Sequence, residues 1–151
     1  MRKRISVGMA GLGLTFLAVG LPPTVPADGG GSNRPFKGIV AGAITGIAPS
    51  GALVVVAIGE ATHLGNFTRT EYVFLGPGGA IAGSLVFTAA NGDQLSADFS
   101  GNFTSPTTAE GTYTLTGGTG RFRDATGTAS FQATTSDGIQ IEVSFEGSIS
   151  Y

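Results

Sequence analysis

The chain has 151 residues, 26 of them glycine, with no cysteine, no tryptophan, one histidine and a formal charge of −2. Zero cysteines exclude disulfides and thiolate metal centres, and a lone histidine cannot supply a histidine-rich zinc site. The same histidine is the only imidazole base available to the many serines and threonines, and no serine sits in a nucleophile elbow.

Residues 1–27 read as a secretory signal. Arg2, Lys3 and Arg4 form a positive start, an apolar run extends from Ile5 to Leu21, and Val25, Pro26 and Ala27 form a small-residue cleavage site. Gly8, Gly11, Gly13 and Gly20 interrupt the run and Pro22 and Pro23 stop it, which argues against a permanent membrane anchor. No cysteine follows for lipid attachment, so a soluble, secreted or periplasmic mature chain is expected. Cleavage after Ala27 leaves 124 residues, the size of one domain.

The mature segment keeps all ten acidic residues but only Arg34, Lys37, Arg69, Arg121 and Arg123 among the basic ones, so its formal charge is −5. That balance, without a basic stripe, argues against nucleic acid and anionic membranes as partners. No membrane contact is expected once the signal is removed.

Residues 28–34 are polar and glycine-rich and read as a disordered leader. The folded domain is expected over 35–151. It contains eight strand-like runs at 36–47, 52–62, 67–75, 81–90, 94–103, 111–116, 128–135 and 139–151. The last run is the clearest. Ile139, Ile141, Val143, Phe145, Ile149 and Tyr151 alternate strictly with polar residues, the period of a half-buried strand. The same parity places Leu95, Ala97, Phe99 and Phe103 on one buried face, with Ile81, Leu85 and Phe87, Tyr113 and Leu115, and Ala129, Phe131 and Ala133 on others.

Asn91-Gly92 and Asp137-Gly138 read as type I′ hairpin turns, while Pro49-Ser50-Gly51 and Gly76-Pro77-Gly78-Gly79 mark further turns. Connections this short make every joint antiparallel. Gly38, Gly42 and Gly46 share the face of Phe36, Val40 and Ile44, a placement that permits the coiling needed to close a barrel. The second run, Leu53 to Ile58, is continuously apolar and is expected to be covered on both faces, either by the Pro49 or Pro77 loop or by a subunit interface.

Leu115 to Gly127, reading LTGGTGRFRDATG, carries the chain's most distinctive turn. Gly117, Gly118, Gly120 and Gly127 read as structural positions, with Phe122 as a plug for the barrel end. Arg123 stands where a dinucleotide-binding loop needs its third glycine, and no following helix is predicted, so that reading is rejected. This segment resembles the glycine turn of the allene oxide cyclase barrel superfamily, which includes the dirigent proteins. Thr62 to Gly65 and Ala89 to Asp93 are also similar to segments of exported bacterial members. The resemblance implies an all-β, eight-stranded antiparallel up-and-down barrel with an apolar cavity, and often a trimer. It carries over no catalytic residue.

His63 with Glu60 invites an acid-base or metal reading, but residues three apart on a strand face opposite sides, and His63 is read as a rim residue. Asp93 and Asp98 have no calcium-loop signature. Arg121, Arg123 and Asp124 form a small charged cluster that could bind a carboxylate at the barrel mouth, with ion pairing to nearby Glu or Asp favoured. On the third run the alternation breaks after Phe67, and a bulge is expected to turn Arg69 or Glu71 inward. The cavity candidates are Arg69, Glu71, Tyr72, Phe87, Phe99, Tyr113, Phe131 and Phe145. No cofactor or metal is expected. The leading functional expectation is an exported barrel that holds a small apolar ligand without catalysis. The alternatives are a cyclase or isomerase of the allene oxide cyclase or dirigent type, and a structural barrel with a filled interior.

Overall fold

In a computed structural model, which describes residues 33–151, all eight apolar runs are strands. They are β1 (Arg34–Ile47), β2 (Leu53–Ala61), β3 (Gly65–Leu75), β4 (Ala80–Ala89), β5 (Gln94–Ser105), β6 (Thr108–Gly118), β7 (Thr126–Thr134) and β8 (Gln140–Ser150). Each pairs antiparallel with its neighbours in chain order, and β8 returns to β1, with Arg34 opposite Ile149 and Ala43 opposite Gln140. The sheet is therefore a closed barrel without a free edge, which suits a chain lacking disulfides.

Closure of so small a barrel crowds the interior, and the sequence meets that crowding with cross-strand glycine–phenylalanine pairs. Gly38 stands opposite Phe145, Gly59 opposite Phe67, Gly83 opposite Phe99 and Gly111 opposite Phe131. In each pair the ring lies where a glycine side chain would be: a Cβ on Gly38 would sit 2.7 Å from the Phe145 ring, and one on Gly111 would sit 2.8 Å from that of Phe131. The large ring covers the neighbouring bare backbone, and the missing side chain lets the strand curve.

Several turns differ from the sequence reading. Asn91-Gly92 is not a type I′ turn, because among the non-glycine residues described only His63 has positive φ and Asn91 is not left-handed. Instead Gly92 N–H donates to Ala89 C=O and Ala89 N–H to Asp93 C=O, a type I turn followed by a left-handed glycine. Ala48 to Ala52 repeats the pattern with Gly51. At Asp137-Gly138 again only the glycine has positive φ, and the Asp137 carboxylate accepts from the backbone N–H of Ile139 and Gln140. A single left-handed residue suffices for these longer loops.

One expectation about the wall is corrected: no bulge occurs in β3, which keeps unbroken register with β2 and β4; the register shifts lie at Ile44/Gly46, Ser96/Ala97 and Phe103/Ser105. On the outer face of β2, Val56 and Ile58 are exposed beside Ile39 in the single chain and neither proline loop folds over them, so of the two expected covers the loop is removed and the subunit interface is not. Arg34, expected in the leader, is the first residue of β1; the signal peptide and residues 28–32 of the leader lie outside the described residues.

The candidate ligand cavity

The interior has two unlike halves. Toward the end that carries the 62–64, 90–93 and 119–125 connections, Phe87 is the hub of an aromatic cluster. Phe36, Phe67, Tyr113 and Phe145 pack around it at ring-centroid distances of 6.0, 5.0, 6.5 and 5.7 Å. Leu64, Phe122 and Tyr151 cap this half, the last two in edge contact at 5.1 Å. Phe122, on the short 3-10 turn Gly120–Phe122, is fully buried, as a plug should be.

That cap is latched by polar contacts. His63 shares one hydrogen bond with the Tyr151 hydroxyl (3.0 Å) and another with Pro35 C=O (2.9 Å), tying the β2–β3 turn to both ends of the barrel chain. Arg121 donates to His63 C=O at 2.6 Å and pairs with Asp93 at 3.0 Å, so the expected carboxylate partner of this arginine is Asp93. Gly120 has φ +57°, and a side chain there would collide with the Asp93 carboxylate. Burial lowers the His63 pKa, with the Arg34 and Arg121 charges acting in the same sense against the Pro35 hydrogen bond.

The other half is a cavity of about 250 Å³ that opens between the 48–52, 76–79, 106–107 and 135–139 connections. Val55, Val73, Ile81, Phe99, Phe131 and Val143 are among its walls. An engineered cavity of roughly 150 Å³ accommodates benzene, so this space suits a molecule of about one to two fused rings. Larger depressions on the outer wall are shallow and open and enclose nothing.

Among the described residues, Glu71 and Tyr113 are the only ionisable side chains lining this cavity. Plain alternation along β3 turns Phe67, Arg69, Glu71 and Val73 inward, and Ala57 opposite Arg69 leaves room for the long side chain. Arg69, 2 % exposed, is the one buried charged residue among those described. Its Nη1 donates to the Tyr113 hydroxyl at 2.8 Å and its Nη2 to Glu71 Oε2 at 2.7 Å, while its Nε has no hydrogen-bond partner. Burial works against the Arg69 charge, but Tyr113 and Glu71 outweigh it and hold its pKa above the ordinary value. Burial likewise pushes Tyr113 up to about 12, against the opposing pull of Arg69, so the phenol keeps its proton at neutral pH. Because Arg69 donates to the Tyr113 oxygen, the phenol hydrogen remains available to another acceptor.

Of the residues singled out from sequence, Glu71, Phe99, Tyr113 and Phe131 line the cavity. Arg69 lies behind Glu71 and Tyr113, and Phe87 and Phe145 belong to the packed aromatic half. Tyr72 is corrected: it falls in the outward phase of β3 and is 42 % exposed. The aliphatic walls, including Val55 and Val73, were not singled out as ligand contacts because they lie in runs, Leu53 to Ile58 of β2 and Tyr72 to Leu75 of β3, that are apolar in both phases.

A search of solved structures finds the pterocarpan synthase dirigent protein GePTS1, with a TM-score of 0.51 and 18% sequence identity over 83% of this chain and 89% of that one. The fold is that of a dirigent-like barrel. No protein-family model and no curated protein matches the chain.

Proposed function

We propose that this dirigent-like barrel is an exported binding protein that holds one small, mainly apolar molecule in its half-open interior, without transforming it. The observation that carries this reading is the pairing of an apolar cavity with a single polar cluster at its floor. The walls contribute burial and the Glu71–Tyr113 pair orients a polar end of the ligand, an arrangement typical of small-molecule sites. An ionic cluster inside a barrel is an expensive way to gain stability, since apolar residues of similar volume usually serve as well or better. Its retention supports a role toward a ligand. The exposed Ile39, Val56 and Ile58 support association of the outer β1–β2 face with further copies, for which we propose a homotrimer.

The experiment is a titration of the purified protein with the apolar fluorophore N-phenylnaphthylamine. Saturable enhancement at one molecule per chain is expected. Ala133→Phe, which puts a ring into the cavity wall, should abolish it while leaving the circular dichroism of the barrel intact. A flat titration of the wild type would overturn the reading.

A second reading, a cyclase or isomerase, is favoured by one specific observation. The protonated Tyr113 hydroxyl and the Glu71 carboxylate, bridged by Arg69, form a donor and an acceptor at the same end of the cavity. The structural neighbour is named as a synthase. Under this reading Tyr113→Phe and Glu71→Gln would each suppress turnover of a bound substrate by roughly 10²-fold or more while leaving its binding within a few-fold. Under the binding reading no turnover exists to lose.

A further inference from the structure

We propose that the open end of the barrel is a lipid-docking collar, which seats the cavity mouth on a neutral, zwitterionic lipid surface and lets an apolar ligand pass between lipid and cavity. All four connections at that end are flanked by a large exposed apolar side chain. Ile47 stands at the β1–β2 connection, Leu75 at β3–β4, Phe103 at β5–β6 and Ile139 at β7–β8, each between 42 and 72 % exposed. Leu75 and Phe103 also line the cavity, so the collar and the interior form one continuous apolar surface.

Charge gives the occupant its chemistry. Among residues 48–52, 76–79, 106–107 and 135–139 the only ionisable side chain is Asp137, whose carboxylate is turned onto its own loop. The opposite end carries Arg34, His63, Asp93, Arg121, Arg123 and Asp124. Connections between strands are ordinarily polar, and apolar side chains gathered there mark a contact surface. A collar whose one charge is the Asp137 carboxylate, on a chain with more acidic than basic residues, complements a zwitterionic surface better than an anionic one. The proposal departs from the sequence expectation of no membrane contact, whose charge argument applies to anionic surfaces.

Depth limits the contact to the interface. Tyr72 and Phe74 continue the apolar surface on β3 and Val56 and Ile58 on β2, but on β5, β7 and β8 the outer wall turns polar at once, with Asn102, Gln132, Gln140 and Glu142 exposed. A collar of this height matches the roughly 5–10 Å reached by interfacial proteins and not the ~25 Å apolar band of a spanning barrel. A second copy docked mouth to mouth would close the cavity, whereas lipid is itself a reservoir for an apolar ligand. The proposal therefore rests on the binding reading above.

Because the chain has no tryptophan, single tryptophans report each surface separately. Phe103→Trp and Ile139→Trp mark the collar, Ile39→Trp the side wall and Arg123→Trp the latched end. On adding phosphatidylcholine vesicles the two collar reporters should shift to the blue, and the wall and latched-end reporters should not. Adding Leu75→Ser to Ile139→Trp should raise the lipid needed for half-maximal shift by about tenfold, and phosphatidylglycerol in the vesicles should not strengthen binding. The proposal is overturned if no reporter shifts, or if the shift is confined to Ile39→Trp or Arg123→Trp. It is also overturned if the collar reporters shift with protein concentration in the absence of vesicles, which would mark a second copy as the occupant. Titrating the same variants with N-phenylnaphthylamine in the absence of vesicles separates the two proposals: probe binding without lipid docking rejects the collar alone, and docking without probe binding rejects the cavity reading alone.

Discussion

The two halves of the barrel solve the same geometric problem in opposite ways. Both are lined by inward residues of the same eight strands, yet one is filled by the Phe36, Phe67, Phe87 and Phe145 rings and latched by His63, Arg121 and Tyr151, while the other is left open between loops whose one charged side chain is Asp137. The difference lies in side-chain size on the inward phase: rings converge on Phe87 in one half, and aliphatic residues such as Val55, Val73 and Ile81 stop short of each other in the other. Stability is thereby concentrated at the latched end, and the open end is free to carry function.

That division is tested first by cutting into each half. Phe87→Ala removes the hub of the packed cluster and should cost about 3–5 kcal/mol, read by chemical denaturation. Val73→Ala, in the wall of the open half, should cost only about 1 kcal/mol, because that side chain already faces free space. Equal losses would erase the distinction between the halves.

The boundary between them is the Arg69–Glu71–Tyr113 cluster. Arg69→Met should destabilise by roughly 3 kcal/mol, since it strips the inward Glu71 carboxylate of its partner. Adding Glu71→Leu should recover most of that loss. Recovery of stability together with loss of ligand binding would show that the cluster serves the cavity.

At the latched end Gly120→Ala should cost about 1–2 kcal/mol, because it forces a left-handed conformation on alanine and displaces the Asp93 carboxylate from Arg121. The thermal midpoint, measured with and without this change, checks it.

The smallest effect is revealed by pH. His63 has a folded-state pKa below its ordinary value of 6.5, so the unfolded chain binds the proton more readily. Its contribution is intact above that ordinary value and is lost as pH falls through it toward the folded pKa. The thermal midpoint should therefore drop between about pH 7 and pH 5, and His63→Asn, which tolerates the positive φ at this position, should flatten that part of the profile. An unchanged slope would separate the latch from this histidine.

Most of the barrel was legible in the sequence because period-two alternation and glycine turns are local signals. All eight runs are strands, and Phe122 is buried where the glycine turn places it. The phase of β3 was not legible. Tyr72 and Phe74 lie out of phase with Phe67, so reading apolar residues as inward assigned Tyr72 to the cavity and required a bulge for Arg69 and Glu71. The strand instead keeps perfect alternation and turns two charges inward, because the guanidinium, the carboxylate and the phenol of Tyr113 satisfy one another across the barrel. The continuous apolar run of β2 did not tell which of its two expected covers applies; its outward residues are clear of the proline loops and exposed in the single chain. Where the cavity lies depends on how rings from seven strands fill the cylinder, which no single run encodes. The apolar collar was likewise dispersed over four connections far apart in the chain.

The most direct test is a crystal of the protein pressurised with xenon. The account predicts xenon among Val73, Ile81, Phe99 and Phe131, with none between Phe36, Phe67 and Phe87. Xenon within the aromatic cluster, or an open half already filled by its own side chains, would contradict it.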